Sequence, residues 1–230
     1  MGSLPCAELL EILKSAYKCP SFSGVCSNVC YKPELGYMPR GYTGAFGNLA
    51  DIELILILAE PGNPPESQNE KYNDSLAPNE LIAKVASGVE GAIRNHKDSK
   101  FHENIADILI ECWPGLELEN QLKRTWITES VLCAAYKSTA PISTEIELEC
   151  AHRYLLRHLQ CLNKNKSRFV AVLGGKAKRR IQRLPIQEFG NLTFQYYPAP
   201  GKPYGNFKKA KLAWTNLGSE FNQWKNRVNR

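Results

Sequence analysis

Three apolar runs of the sequence are followed directly by polar or turn-forming residues that could do chemistry. The three segments are Glu60-Pro61-Gly62, Thr128-Glu129-Ser130 and Tyr197-Pro198-Ala199. If the runs are parallel strands of one open sheet, their carboxyl ends meet at the edge where such sheets bind ligands. A carboxylate there, such as Glu60, could act as a general base or stabilise a cationic transition state. We therefore expect one site built from three strand ends, with a Glu60 that only caps a turn as the alternative.

Eight cysteines are the second chemical signal. They are Cys6, Cys19, Cys26, Cys30, Cys112, Cys133, Cys150 and Cys161. In a reducing compartment, several thiols indicate metal or cluster ligation rather than disulfides, and such a site needs four thiolates that converge. The alternative is that all eight are buried thiols. We expect that state for Cys6, Cys112 and Cys161, which lie on predicted helices.

Basic residues form two groups near the predicted strand ends. The net charge is +6 and the isoelectric point is about 8.8. The first group contains Lys176, Lys178, Arg179, Arg180 and Arg183, and the second contains Lys202, Lys208, Lys209 and Lys211. Such residues bind the phosphates of nucleic acids without reading their sequence, so an anionic partner such as nucleic acid is expected. The alternative is that both groups are solvated helix faces.

Apolar strands alternate with helices along the chain. The predicted strands cover 52–59, 124–132, 168–174 and 192–197. The predicted helices cover 5–17, 79–94, 102–112, 145–162 and 176–182, with a last helix after Asn206. Thr144 and Glu147 are expected to form a capping box at the start of the fourth helix. This alternation predicts an α/β fold of three layers, α/β/α, around a central, largely parallel four-stranded sheet.

The composition is that of a globular protein, with 43% hydrophobic and 23% charged residues. We expect one domain over residues 1–230 that includes an N-terminal helix and a Cys-rich loop (1–48). No apolar run has the length of a membrane span, and residues 1–7 show no pattern of a secretory signal. The sequence therefore predicts an intracellular, cytoplasmic monomer that does not contact membranes.

Five segments together resemble the uracil-DNA glycosylase superfamily, especially its iron–sulfur-containing branches. They are ILILAEPG (55–62), WITESVLCAAYKST (126–139), ECAHRYLLRHL (149–159), VAVLGGKAKRRI (170–181) and YYPAPG (196–201). They occur in the family's order and, with the Cys-rich segment, cover most of the chain from 19 to 205. The resemblance implies hydrolysis of the N-glycosidic bond of a flipped, deaminated base in DNA, as in base excision repair.

The resemblance also implies roles for individual residues. Glu60 would position water or stabilise the cationic sugar, Tyr72 would stack on the base, and Tyr197 would contact the leaving base. Pro61, Gly62, Glu129, Pro198 and Ala199 would bind the substrate, and Lys176, Lys178, Lys202 and Lys208 would contact DNA. Cys26, Cys30, Cys133 and Cys150 would hold a [4Fe–4S] cluster or, as the less favoured alternative, a zinc ion. Cys19 is a contender for the ligand position of Cys26 or Cys30.

Two residues depart from the family's pattern. The family commonly has Asn at the position of Glu129, and an ionised carboxylate can only accept hydrogen bonds from a base. The family's usual His is replaced by Tyr197, which cannot be cationic. Both departures leave open a second function, a nucleic-acid-binding module that keeps the fold and has lost catalysis. A metal-dependent nuclease is the third class, but the sequence shows no carboxylate cluster for the metal.

Overall fold

The computed structural model of the chain describes residues 4–17, 19–26, 29, 31–64, 76–95, 99–134, 142–164, 166–201 and 207–228. Within these ranges, helices cover both faces of a single sheet, which confirms the α/β/α fold class. No helix in these ranges is long and apolar enough to cross a membrane.

Among the described residues, the sheet has five strands rather than the predicted four. They are β1 (Thr43–Gly44), β2 (Leu54–Leu58), β3 (Thr125–Glu129), β4 (Arg168–Leu173) and β5 (Leu192–Tyr197). Their order is β1-β3-β2-β4-β5, and β1 is antiparallel to β3 whereas the other pairs are parallel. Strand β1 was missed because two residues are too short to show a period in the sequence.

In the described part of the chain, eight α-helices connect and cover these strands. They are α1 (Ala7–Lys14), α2 (Pro78–Asn95), α3 (Lys100–Cys112), α4 (Leu118–Lys123), α5 (Thr144–Cys150), α6 (Leu156–Leu162), α7 (Gly175–Ile181) and α8 (Phe207–Val228). A π-helical turn, Ala151–Leu155, separates α5 from α6, where the sequence predicted one continuous α-helix. Each predicted element has a described counterpart of the same type and in the same order, with differences at the ends, whereas β1 and α4 were not predicted.

The predicted capping box at the start of α5 is wrong. The N-cap is Ser143, whose side-chain oxygen accepts a hydrogen bond from the Ile146 backbone N–H at 3.3 Å. The Glu147 carboxylate is bound instead by Arg180 and Arg183, each at 2.8 Å. The Glu147 side chain, which the local pattern assigned to the cap, thus forms ion pairs with two arginines that lie far along the chain.

Two apolar layers flank the sheet because the central parallel strands are buried on both faces. On β2, Ile55 and Ile57 pack with α1, α2, α5, α6 and α7, whereas Leu54, Leu56 and Leu58 pack with α3, α4 and α8. In α8, the predicted apolar stripe is buried from Ala210 to Trp224, but its two end residues are 42–44% exposed. Packing on both faces fixes the sheet and so fixes the positions of the strand ends at its carboxyl edge.

Candidate active site

The carboxyl ends of β2 and β3 place two glutamates side by side. Leu58 pairs with Glu129 in the sheet register, and Glu60 lies two residues past Leu58. The backbone N–H groups of Ser130 and Val131 donate hydrogen bonds to the Leu58 and Ala59 carbonyls at 2.8 and 3.0 Å. The two strand ends thus stay hydrogen-bonded beyond the sheet, and both glutamates are carried by rigid backbone.

Two cations from α7 hold the Glu60 carboxylate. Lys176 Nζ lies 2.5 Å from Oε1 and donates a hydrogen bond to it. Arg180 Nη1 lies 2.7 Å from Oε2, although this contact lacks the alignment of a hydrogen bond. The Glu60 side chain is 13% exposed and that of Lys176 is 54% exposed. One oxygen therefore has a buried partner and the other has a partner that solvent reaches.

Arg180 is the centre of a buried network. It is 6% exposed, and its guanidinium also donates to the Ala59 carbonyl at 2.7 Å, the Ser130 hydroxyl at 3.1 Å and the Glu147 carboxylate at 2.8 Å. This one side chain joins the ends of β2 and β3 to α5 and α7. The interpretation of the basic group as a DNA-facing surface is therefore wrong for Arg180.

Glu129 has a different environment from Glu60. It is 5% exposed, its Oε2 is buried without a hydrogen-bond partner, and none of the ion pairs among the described residues includes it. Burial raises the pKa of this carboxyl well above its ordinary value, and the nearby Glu60 charge adds to the rise, whereas Arg180 and Arg40 oppose it. Desolvation therefore favours the neutral acid at this position.

Gly41 closes the site over Glu129. Its φ is +83°, and a Cβ at this position would lie 2.8 Å from the Glu129 Oε1 and closer still to Cγ. A side chain at residue 41 would be strained and would collide with the carboxyl group. The neighbouring Arg40 donates a hydrogen bond to the Gly62 carbonyl. The segment before β1 therefore forms one wall of the site, together with the Pro61-Gly62 turn.

The Tyr197 hydroxyl is bound by helix α8. It donates a hydrogen bond to Glu220 of α8 at 2.6 Å, and burial together with this bond raises its pKa. Its side chain packs against the layer that contains α3 and α8. The structure thus brings Glu60 and Glu129 together but places the Tyr197 hydroxyl with Glu220. On the opposite face, the neighbouring Tyr196 packs under Lys178, whose Nζ is 5.2 Å from the ring centre.

The segment after β5 is anchored by α3 and α8. Trp214 of α8 donates to the Pro198 carbonyl at 3.0 Å, and Asn104 of α3 donates to the Pro200 carbonyl at 2.7 Å. Ala199 packs against Gly174, where an added Cβ would lie 2.9 Å from the Ala199 Cβ. Residues 198–200 therefore sit next to the β4–α7 turn, as the strand order predicts, and close to the start of α7.

Some predicted site residues lie outside the described ranges. They are Tyr72, Lys202 and Cys30. Of the remaining predicted DNA contacts, Lys176 is paired with Glu60, Lys178 lies over Tyr196, and Lys208 is exposed in the first turn of α8. Sequence reasoning missed Arg40, Glu147 and Glu220, because nothing local marks a charged residue whose partner is far along the chain.

Four cysteines line one apolar cavity between the N-terminal segment and the core. They are Cys19, Cys26, Cys133 and Cys150, and the cavity encloses about 20 Å³. Phe22, Val29, Val131 and Ile146 complete much of its apolar lining. Burial and the neighbouring thiols raise the pKa of Cys26 to about 11 and that of Cys150 to about 12. The donor chemistry suits a metal group held by thiolates, and Cys19, the contender named from the sequence, lines this cavity with the other three cysteines.

Within the described ranges, however, no three Cys, His, Asp or Glu side chains are arranged so that they could hold a metal ion. The thiols share a cavity without forming a coordination geometry. Of the other cysteines, Cys6 and Cys112 are buried in the core as predicted, and Cys161 is half-buried.

Comparisons with known proteins give a weak similarity in structure alone. No protein-family model matches the chain, and no curated protein matches it. A point variant of mimivirus uracil-DNA glycosylase (UNG), solved in complex with UGI, is 14% identical, with a TM-score of 0.41, and the match covers 86% of this chain and 71% of that one. A point variant of the UNG from Nitratifractor salsuginis is 13% identical, with a TM-score of 0.38 and coverage of 92% and 97%. At these values neither match carries an argument about function.

The buried network around Arg180 predicts a large difference between two neighbouring arginines. Arg180→Met leaves Glu60 and Glu147 without their buried partner, so we expect unfolding in urea to show a loss of about 3–5 kcal/mol. Arg183→Met removes a partner of the same Glu147 carboxylate that is 44% exposed, and should cost less than about 1 kcal/mol. Equal losses in the two variants would contradict the assignment of Arg180 as the centre of the site.

Proposed function

We propose that the chain is a DNA glycosylase that hydrolyses the N-glycosidic bond of a flipped, deaminated base. The observation that carries this proposal is the Glu60 carboxylate at the end of β2, which Lys176 and Arg180 hold at 2.5 and 2.7 Å. A fixed carboxylate at the carboxyl edge of a parallel sheet is suited to act on a ligand bound there. The resemblance of the five sequence segments to uracil-DNA glycosylases supplies the substrate class.

In the proposed reaction, a water molecule adds to C1′ of the flipped nucleotide as the bond from C1′ to the base nitrogen breaks. The electron pair of that bond leaves with the base. Glu60 accepts the proton that water loses, or it stabilises the positive charge that develops on the sugar while that proton passes to the departing base. Arg180 keeps the carboxylate in place from its buried side, so the oxygen that acts on water is the one that Lys176 binds in this structure. Tyr72 is proposed to stack on the base and Glu129 to contact its edge.

DNA binding is proposed for the surface around this edge. Lys178, Lys202 and Lys208 would contact phosphates, which gives affinity without sequence readout. The turn that begins with Pro198 and Ala199 would open the base stack in the minor groove. Support for that role comes from its anchoring, because Trp214 and Asn104 bind two carbonyls of this turn and would resist its displacement.

A second candidate function is a nucleic-acid-binding module without excision activity. Two observations favour it. The Tyr197 hydroxyl is bound to Glu220, so it is not presented to a leaving base beside Glu60. Lys176 also pairs with the Glu60 oxygen that the reaction needs. Both functions use the same fold and surface, and an excision assay separates them.

The proposed reaction predicts that Glu60→Gln loses excision and keeps DNA binding. Loss of a general base lowers the rate by about 10²–10⁴-fold. The measurement is the release of abasic product from oligonucleotides that carry uracil, hypoxanthine, xanthine or ethenocytosine. Glu53→Gln is the matched control, because Glu53 is also 13% exposed and pairs with an arginine and a lysine, but it precedes β2 at the opposite edge of the sheet.

Three results are informative. Loss of activity in Glu60→Gln alone supports the proposal, and equal activity in both variants contradicts the role of Glu60. Binding without excision by the unmodified protein, on all four bases, favours the binding module.

We also propose a metal group held by cysteines, with a [4Fe–4S] cluster preferred over zinc. Cys26, Cys133 and Cys150 are three of its ligands, and the fourth is Cys30 by the sequence resemblance or Cys19 by its place in the cavity. When bound, such a group would supply cross-linking rather than redox chemistry, because hydrolysis of a glycosidic bond transfers no electrons. It would tie residues 19–26 to β3 and α5.

This ligand set predicts metal content that depends on particular cysteines. Protein purified without oxygen should contain iron and acid-labile sulfide, and Cys133→Ala should lose both. Cys112→Ala is the matched control, since Cys112 is fully buried on the other face of the sheet. Comparison of Cys19→Ala with Cys30→Ala identifies the fourth ligand. A wild-type protein free of iron and zinc would contradict the proposal and leave the glycosylase site unaffected.

A further inference from the structure

We propose that Glu129 serves as a neutral carboxylic acid that binds the edge of a base. The edge it fits has one hydrogen-bond donor beside one acceptor, as in uracil and hypoxanthine. Its hydroxyl would donate to the base carbonyl, and its own carbonyl would accept the adjacent ring N–H. The inference deepens the proposed function and rests on it for the class of ligand. It adds two statements to that function. Glu129 binds the base in its protonated form, and binding is lost when Glu129 ionises.

The first support is the position of the carboxyl group. Glu129 is the last residue of β3, is 5% exposed, and has an Oε2 that is buried without a hydrogen-bond partner. Buried polar atoms in proteins are nearly always hydrogen-bonded, so this oxygen at the ligand-binding edge has a hydrogen-bonding position that a ligand can fill. The close approach of the Gly41 backbone leaves the Glu129 side chain little freedom to turn elsewhere.

The second support is the set of charges that face Glu129 from each neighbouring element. Glu60 at the end of β2 is the negative neighbour, and Arg180 of α7 and Arg40 before β1 are the positive ones. Arg180 is already committed to Glu60 and Glu147, and Arg40 donates to the Gly62 carbonyl. Burial is the largest influence and, with Glu60, raises the pKa of Glu129, so the geometry and the electrostatics agree.

The chemistry of the two forms explains why the proton matters. A neutral carboxylic acid has one donor and one acceptor, as an amide does, and it can form two hydrogen bonds with the O4 and N3–H of uracil. An ionised carboxylate has acceptors only, so it would face the base carbonyl without a proton between the two oxygens. Uracil binding is thus expected at low and neutral pH and should be lost as pH rises through the pKa of Glu129.

Binding of free uracil, followed by saturation-transfer NMR, tests the inference without requiring catalysis. Glu129→Gln is the matched variant, because an amide keeps one donor and one acceptor at every pH. At neutral pH we expect wild type and Glu129→Gln to bind uracil within a fewfold of each other. Glu129→Leu should bind at least about tenfold more weakly. 3-Methyluracil, which lacks the N3–H, should bind poorly to all three proteins.

Two results would overturn the inference. Tighter binding of uracil by Glu129→Gln than by wild type at neutral pH, by about tenfold or more, would mean that Glu129 is ionised. Equal binding by Glu129→Leu and wild type, or no binding by wild type, would mean that uracil does not contact this residue. Uracil binding as expected, without excision from any oligonucleotide, would refute the glycosylase and leave the inference standing. Excision by the wild type, without the expected effect of the residue 129 variants on uracil binding, would refute the inference and leave the glycosylase standing.

Discussion

The structure around the site depends on the burial of one guanidinium group. Arg180 is 6% exposed, so its charge must be matched by partners inside the protein. It finds them in Glu60, Glu147 and two neutral oxygens at the ends of β2 and β3. Because these partners come from separate parts of the chain, the ion pairs form only when the strands and helices are in their final places. The same contacts that close the fold thus orient the proposed catalytic carboxylate.

The two glutamates at this edge differ because, among the described residues, Glu60 forms ion pairs with cations and Glu129 forms none. Glu60 forms ion pairs with Lys176 and Arg180. Glu129 is buried beside that negative charge, and a second carboxylate so close would be costly to ionise. Sites in which one carboxyl group acts as a base and the other as a donor typically hold the two groups in different environments. The proposed function and the further inference both rest on this difference.

The sequence predicted the parts of the fold that follow from short-range patterns. Strands β2 to β5 and the order of the helices follow from apolar runs and turn residues, and Glu60 and Glu129 were found because they end such runs. Partners distant in sequence could not be predicted in this way. Nothing local separates Arg180 from the exposed Arg179, and nothing local directs Glu147 to Arg180 rather than to a cap. The approach of Cys19 to Cys133 and the contact of Tyr197 with Glu220 likewise depend on how the elements pack.

The central claim, that Glu129 is neutral in the folded protein, is tested most directly by the free energy of unfolding of wild type and Glu129→Gln as a function of pH. Below about pH 4.5, the ordinary pKa of a glutamate, the carboxyl group is neutral in both folded and unfolded chains. Above it, only the unfolded chain ionises. Wild type should therefore lose stability relative to Glu129→Gln by up to about 1.4 kcal/mol per pH unit until the folded protein ionises too. A difference between the two proteins that stays constant from acid to neutral pH would contradict the account.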